Sequence, residues 1–339
     1  MQTLSQTDGS SFLQRALITG GAVVLLLIGF RITLPGVDAA AVHGLGARSS
    51  MVALFSAFSI GVVPIVSGAF ILEVVKLIFP RLHAWEVRSE RNATILQRIW
   101  LALSLSIAAF QGQGVSSGIL GIDGLVPNPQ GFVPIAVASF LGTTALLFWL
   151  CLAVTRHGLV GGLWLLFATQ MIMGAPTVAT EGGANLTFGA PEMRAAILYG
   201  AILLAVVALL AVVGARVARD DEPDRAGALI WPVLLGYYTA GLVQAAFILT
   251  GNLMLAGRPA HLVIFVIVAI LITLMRMPNS ETGAAANARI VLTLLQVAAV
   301  VGASIVLGAV ALPFSFNPIA LVASAAVVQV VAENAPRRG

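Results

Sequence analysis

Glu73 and Lys76 stand three residues apart inside a long apolar run, the spacing at which two side chains meet on one face of a helix. A carboxylate within a membrane segment is a candidate ion or proton relay. The neighbouring ammonium offers a second reading, in which the two simply neutralise each other as a structural pair. Just upstream, Ser59-Ile60-Gly61-Val62-Val63-Pro64-Ile65-Val66-Ser67-Gly68 gathers a proline, two glycines and two serines in one hydrophobic stretch. Pro64 lacks a donor and is expected to kink a helix here, while Gly61 and Gly68 let neighbouring backbones come close. Other reactive groups are sparse. Cys151 is the single cysteine, which rules out an internal disulfide and a CxxC site. His43, His83, His157 and His261 are scattered, so no metal site is expected. Nor is there a GxxxxGK[ST] loop to cradle phosphate, and neither a cofactor nor enzymatic chemistry is expected.

The elements that must position these groups are apolar and long. Ten stretches are legible: Ala16–Ile32, Met51–Phe79, Ile95–Phe110, Phe132–Val154, Leu159–Met173, Ala195–Val213, Ala228–Leu249, His261–Met275, Ile290–Leu312 and Pro318–Val331. Most reach or approach the ~20 residues that cross ~30 Å of hydrocarbon. With 59% hydrophobic and 9% charged residues, the chain reads as an all-α polytopic membrane protein. The first stretch is read as a retained anchor, since Leu34-Pro35-Gly36-Val37-Asp38 separates it from the signal-like Ala39-Ala40-Ala41.

Charge sets the orientation. Of 18 Lys and Arg, only four (Arg31, Arg48, Arg194 and Arg258) fall on the side opposite the N-terminus. Cytoplasmic loops carry the cationic excess, so both termini are expected in the cytoplasm of a bacterial cell, with the chain in its inner membrane. The net charge of +4 then serves topology and anionic lipid headgroups rather than nucleic acid. Five spans precede the loop Pro176–Pro191 and five follow, so the second half runs inverted relative to the first, an arrangement common in transporters and channels. The expected organisation is an N-terminal half (1–175), an external hinge loop (176–193) and a C-terminal half (194–339). Gly112–Gly124 and Gly182–Gly189 read as external loops, and Arg81–Arg98 as the longest cytoplasmic connection.

The motifs fall in a familiar order. Phe30-Arg31 with Leu34 to Ala40 resembles the end of the first span in the SecY family, the pore subunit of the general protein-secretion channel. Phe55-Ser56-Ala57-Phe58 resembles the start of that family's plug. Gly61 to Ser67, then Glu73-Val74-Val75, is similar to its pore-lining second helix, with Glu73 where the family usually has glutamine. Arg98, Phe110-Gln111 and Gly114 fit the third span, and His157 to Leu163 is similar to "RGIGNGIS" at the opening of the fifth. Trp231-Pro232 suits the seventh, and Pro278 to Glu281-Thr282 echoes "NPxETADNL".

The resemblance implies two five-helix halves around an hourglass pore, with a lateral gate between the second/third and seventh/eighth spans. It also implies an aliphatic ring at the waist, formed by Val62, Val66, Leu163, Phe167, Leu234 and Leu321. Gly61, Pro64, Ser67, Glu73 and Gln111 would shape the second helix and gate, and Phe55, Ser56 and Phe58 would be what remains of the plug. A dewetting hydrophobic constriction blocks ions without reading a substrate's sequence.

Departures from the pattern narrow the reading. A segment between Phe58 and Ile60 is missing where the family has its plug helix, and Gly161 replaces the asparagine of "GNG". The loop Arg216–Arg225 carries Asp220, Asp221, Glu222 and Asp224, and the basic "IRPG"-type tip after the eighth span is absent. These are the sites at which the family docks ribosomes or the motor SecA, and an acidic stub repels a polyanion. The expected function is therefore a specialised protein-conducting channel or insertase. Its expected partners are a translocating polypeptide, a small SecE-like membrane subunit, membrane lipids and a separate motor or substrate-specific factor. An ion-coupled transporter of a small molecule and a non-conducting assembly scaffold are the competing readings.

Overall fold

A computed structural model describes residues 11–44, 55–173, 191–217, 225–249, 258–275, 283–309 and 317–334. Among them the secondary structure is helical, apart from an isolated antiparallel bridge between Thr33 and Ser56. The helices are α1 (Phe12–Gly29), α2 (Ala39–Gly44), α3 (Val63–Ile78), α4 (Pro80–Val87), α5 (Glu90–Leu120), α6 (Phe132–His157), α7 (Gly162–Met173), α8 (Pro191–Val217), α9 (Arg225–Leu249), α10 (Arg258–Met275), α11 (Ala284–Ala309) and α12 (Ala320–Asn334). Five described segments are long and apolar enough to cross a membrane: α1, α5, α6, Ile197–Ala215 of α8 and Asn287–Val306 of α11. The pair α3 and α4, bent by 108° at Phe79-Pro80, would add a sixth only if the two helices formed one span. Phe110, Trp149 and Leu204 are 81, 62 and 71% exposed, surface that hydrocarbon accepts and water does not.

Several boundaries differ from the sequence reading, each for a local reason. The second apolar stretch does not form one kinked helix. Gly61 takes φ +50°, and α3 starts only at Val63, with Pro64 in its first turn. There the missing N–H is one that no helical carbonyl would have received, so Pro64 begins the helix instead of bending it. The third stretch is longer than its apolar core, running from Glu90 to Leu120 through residues read as an external loop. Its serines fold back on the helix: the Ser104, Ser106 and Ser116 hydroxyls donate to the carbonyls of Trp100, Ala102 and Gly112 at 2.8, 3.0 and 2.7 Å. Those hydroxyls thus find partners within the helix and do not end it. Ser89 caps its start, accepting from the Asn92 N–H at 3.2 Å, and Glu90 suits the positive end of the dipole. Much of the expected cytoplasmic connection is thus α4 and the first turns of α5. In the fifth stretch, Leu159 and Val160 precede the helix, which begins at Gly162.

The helices cluster into two units, α1–α7 and α8–α12. In the first, α5 packs on α3 and α6. The Trp100 Nε1–H donates to the Ile65 carbonyl at 2.9 Å, and its ring meets Phe148 edge-on at 4.6 Å. Gly68 makes this approach possible, since a Cβ there would lie 2.8 Å from Ser104 Oγ. In the second unit α9 and α10 meet at Gly236, where a Cβ would come within 2.9 Å of the Ala269 backbone nitrogen. Tyr237 sits edge-on to Phe265 at 5.8 Å, and the Thr273 hydroxyl joins that of Thr293 across α10 and α11 at 3.1 Å. The expected hinge 176–193 lies almost wholly outside the described residues, as do 218–224 of the acidic loop and Pro278 to Thr282.

Candidate functional site

Residues 55–62 form a compact non-helical segment, and Phe55, Ser56, Ala57, Phe58 and Ile60 are buried. Polar backbone inside an apolar body must find partners, and the ties of this segment reach α1, the 31–34 turn, α6 and α7. The Leu34 N–H donates to the Phe55 carbonyl at 2.8 Å, and the Ala57 N–H to Ile32 at 2.9 Å. Ser56 Oγ donates to the Gly29 carbonyl at 2.9 Å and accepts from the Phe58 N–H at 3.0 Å. Thr143 Oγ1 of α6 donates to the Ala57 carbonyl at 3.0 Å. The Val62 N–H donates to Gln170 Oε1 of α7 at 2.6 Å. Phe58 lies against Gly29, where any Cβ would overlap its ring.

Of the residues expected in the ring, Val62 and Val66 sit at the start of α3, and Leu163 and Phe167 lie one turn apart on α7. All four are at most 3% exposed, and α3 packs against α7. Leu234 of α9 and Leu321 of α12 are buried and belong to the other unit. Ser67 and Gln111 are half-buried, on α3 and α5.

Glu73 is away from this segment, near the other end of α3. Lys76 Nζ lies 3.1 Å from Glu73 Oε1 and 2.8 Å from Glu86 Oε2 of α4, with all three side chains at most 15% exposed. His83 Nδ1 is 3.7 Å from the same Glu86 oxygen. Burial alone would raise the Glu86 pKa, but the nearby His83 and the Lys76 ammonium hold it down at about 2. The cluster clamps the 108° elbow, and the structural-pair reading of Glu73 and Lys76 gains a third member.

The junction between α6 and α7 is equally constrained. The Gly158 carbonyl accepts from Arg15 Nε at 3.1 Å, and the Leu159 N–H donates to Thr19 Oγ1 at 3.0 Å. The Gly162 N–H donates to Thr155 Oγ1 at 2.9 Å, and a Cβ on Gly162 would overlap the Cys151 carbonyl. Glycine is therefore required at Gly162, whereas Gly161 has more room. Sequence reasoning missed Gln170, Thr143 and Glu86 as partners. Gln170 had a signal, being the single amide in Gly162–Met173. Among the described residues no cluster of three His, Cys, Asp or Glu could hold a metal ion.

Known proteins give this geometry a context. A family model described as SecY matches residues 56–219, from within the buried segment to just past α8. The SecY protein translocase subunit of Escherichia coli K12 is 27% identical over 180 residues, covering 48% of this chain and 41% of that protein. That of Helicobacter pylori 26695 is 26% identical over 227 residues, 62% of this chain and 53% of its own length. The matched region thus spans about half the length of these relatives or less. Among solved structures, one concerning the SecY plug domain, its stabilisation of the closed state and its membrane seal superposes with a TM-score of 0.57. It shares 15% identity, with 96% of this chain and 92% of that chain covered. The Sec61 channel of a canine ribosome–channel complex gives 0.54 at 14% identity, over 96% of this chain and 92% of that one. The fold is that of these channels, and over residues 56–219 the chain is similar to the SecY family.

Proposed function

We propose that the chain forms a protein-conducting channel or insertase that moves polypeptides across or into a bacterial cytoplasmic membrane. The observation that carries this reading is the buried 55–62 segment, which is tied into a SecY-like fold beside residues expected to line the pore and would serve as an apolar stopper. Val62, Val66, Leu163, Phe167, Leu234 and Leu321 would form the constriction that the resemblance implies. Such a ring grips any extended chain and excludes ions by dewetting. Gly61, Ser67 and Gln111 would shape the gate beside it. Ten spans in two inverted halves, 1–175 and 194–339 joined by a hinge at 176–193, are the architecture this function needs. The charge alternation and the likeness to SecY and Sec61 structures support it. A small SecE-like subunit is the proposed companion. A separate motor or substrate-specific factor would supply direction, because the acidic residues Asp220, Asp221, Glu222 and Asp224 disfavour a ribosome. The transporter reading is weakened at its main relay candidate, since Glu73 is engaged in an ion pair with Lys76.

Photocrosslinking in cells tests the proposal. A photoreactive residue at Val66 is expected to capture exported or inserting polypeptides, whereas one at the exposed Trp149 of α6 captures none. Capture of neighbouring helices alone at Val66, under conditions where the protein is needed, would overturn it.

A further inference from the structure

Gln170 is out of place on composition. It is an amide within Gly162–Met173, a helix otherwise made of apolar and small residues, on the face that also carries Leu163 and Phe167. The structure shows what it meets. Val62 occupies the N-cap of α3 and has no side chain able to cap, so α3 starts without a capping hydrogen bond of its own. The Val62 N–H itself donates to Gln170 Oε1 at 2.6 Å, and this donor would otherwise be orphaned. Gly61 makes the contact possible in two ways. Its φ of +50° turns the chain into α3, and the missing side chain leaves the space that the Gln170 amide fills. The amide thus ties together three parts: the end of the buried 55–62 segment, the start of the helix bearing Val62 and Val66, and the helix bearing Leu163 and Phe167.

We propose that Gln170 is a latch, a positioning residue that holds the 55–62 segment and the start of α3 in the shut arrangement and releases when the channel opens. This rests on the channel reading above. The chemistry suits a reversible catch: a neutral hydrogen bond in apolar surroundings is directional yet weak enough to yield to an entering polypeptide. An ion pair there would be far harder to break.

The test is ion conductance of the purified full-length protein in planar bilayers, comparing Gln170→Met, Gln170→Glu and Gly61→Ala with Val66→Gly as the control for the ring. Methionine keeps the length and apolar fit but removes the strong acceptor, and glutamate keeps an acceptor oxygen. The expected result is a leak about tenfold above the parent for Gln170→Met, equivalent to ~1.4 kcal/mol in the open–shut balance. Gly61→Ala should leak in the same direction because its methyl displaces the amide, while Gln170→Glu returns most of the seal. A leak from Val66→Gly with none from Gln170→Met or Gly61→Ala would overturn the latch and leave the channel reading standing. Leak from Gln170→Met that glutamate does not reduce would also overturn it, because the acceptor would then be irrelevant. Silence from all variants, Val66→Gly included, would overturn the channel reading and the latch with it.

Discussion

The two ends of α3 are fixed by different physics. At the Val63 end the neighbouring 55–62 segment is held by neutral hydrogen bonds to α1, the 31–34 turn, α6 and α7, and by burial of Phe55, Phe58 and Ile60. At the Ile78 end a buried ammonium bridges two carboxylates and locks the turn into α4. Neutral bonds and apolar contact can be broken and remade piecemeal, each contributing little. A buried ion cluster resists dissection, because removing one member leaves an uncompensated charge. One helix therefore has a yielding end beside the proposed pore and a rigid end at the elbow.

The two ends should differ most in their response to loss of Lys76. Lys76→Met should destabilise the protein by about 3–5 kcal/mol, seen as a large drop in thermal midpoint in detergent. A loss under ~1 kcal/mol would mean that the elbow behaves as a solvated surface pair. At the yielding end, Ser56→Ala removes a donor to Gly29 and an acceptor for Phe58, for an expected loss of about 1–3 kcal/mol by the same assay. A cost equal to that of Lys76→Met would erase the distinction.

Acid separates the ends further. Glu86 has a folded pKa of about 2, lowered from 4.5, so its contribution is fully present above pH 4.5 and is lost as pH falls toward 2. The parent's thermal midpoint should decline across that window, and Glu86→Gln should flatten the decline. An unchanged slope in the variant would remove Glu86 as the source. The smallest effect concerns salt. Raising ionic strength from about 0.1 to 1 M shortens the Debye length from ~10 to ~3 Å, yet should barely move the Lys76 contribution, since the group is 9% exposed. A strong salt dependence of the parent that Lys76→Met abolishes would contradict the burial of the cluster.

Much of the first unit was legible because its signals are local. Apolar runs located α1, α5 and α6, and the Glu73–Lys76 spacing anticipated their ion pair. Local signals failed where a residue's role depends on what lies opposite. Pro64 looks the same whether it bends a helix or begins one, and the φ of Gly61 decides between them. The Ser and Gly residues of 112–120 resemble a loop, but with hydroxyls bonded to the preceding turn and Gly112 against Phe140, a helix is the lower-energy form. Gln170, Thr143 and Glu86 were invisible as partners, because each acts across a sequence separation that no periodicity encodes.

The apolar, all-helical class and the SecY-like order of motifs are written in the primary structure, because hydrophobicity and motif spacing are properties of neighbouring residues. The packing of distant helices sets the rest: 55–62 folds as a buried non-helical segment, the Val62 N–H donates to Gln170, and Lys76 bridges two carboxylates. Hydrogen bonds and ion pairs gain their strength from a burial that exists only once distant helices have packed.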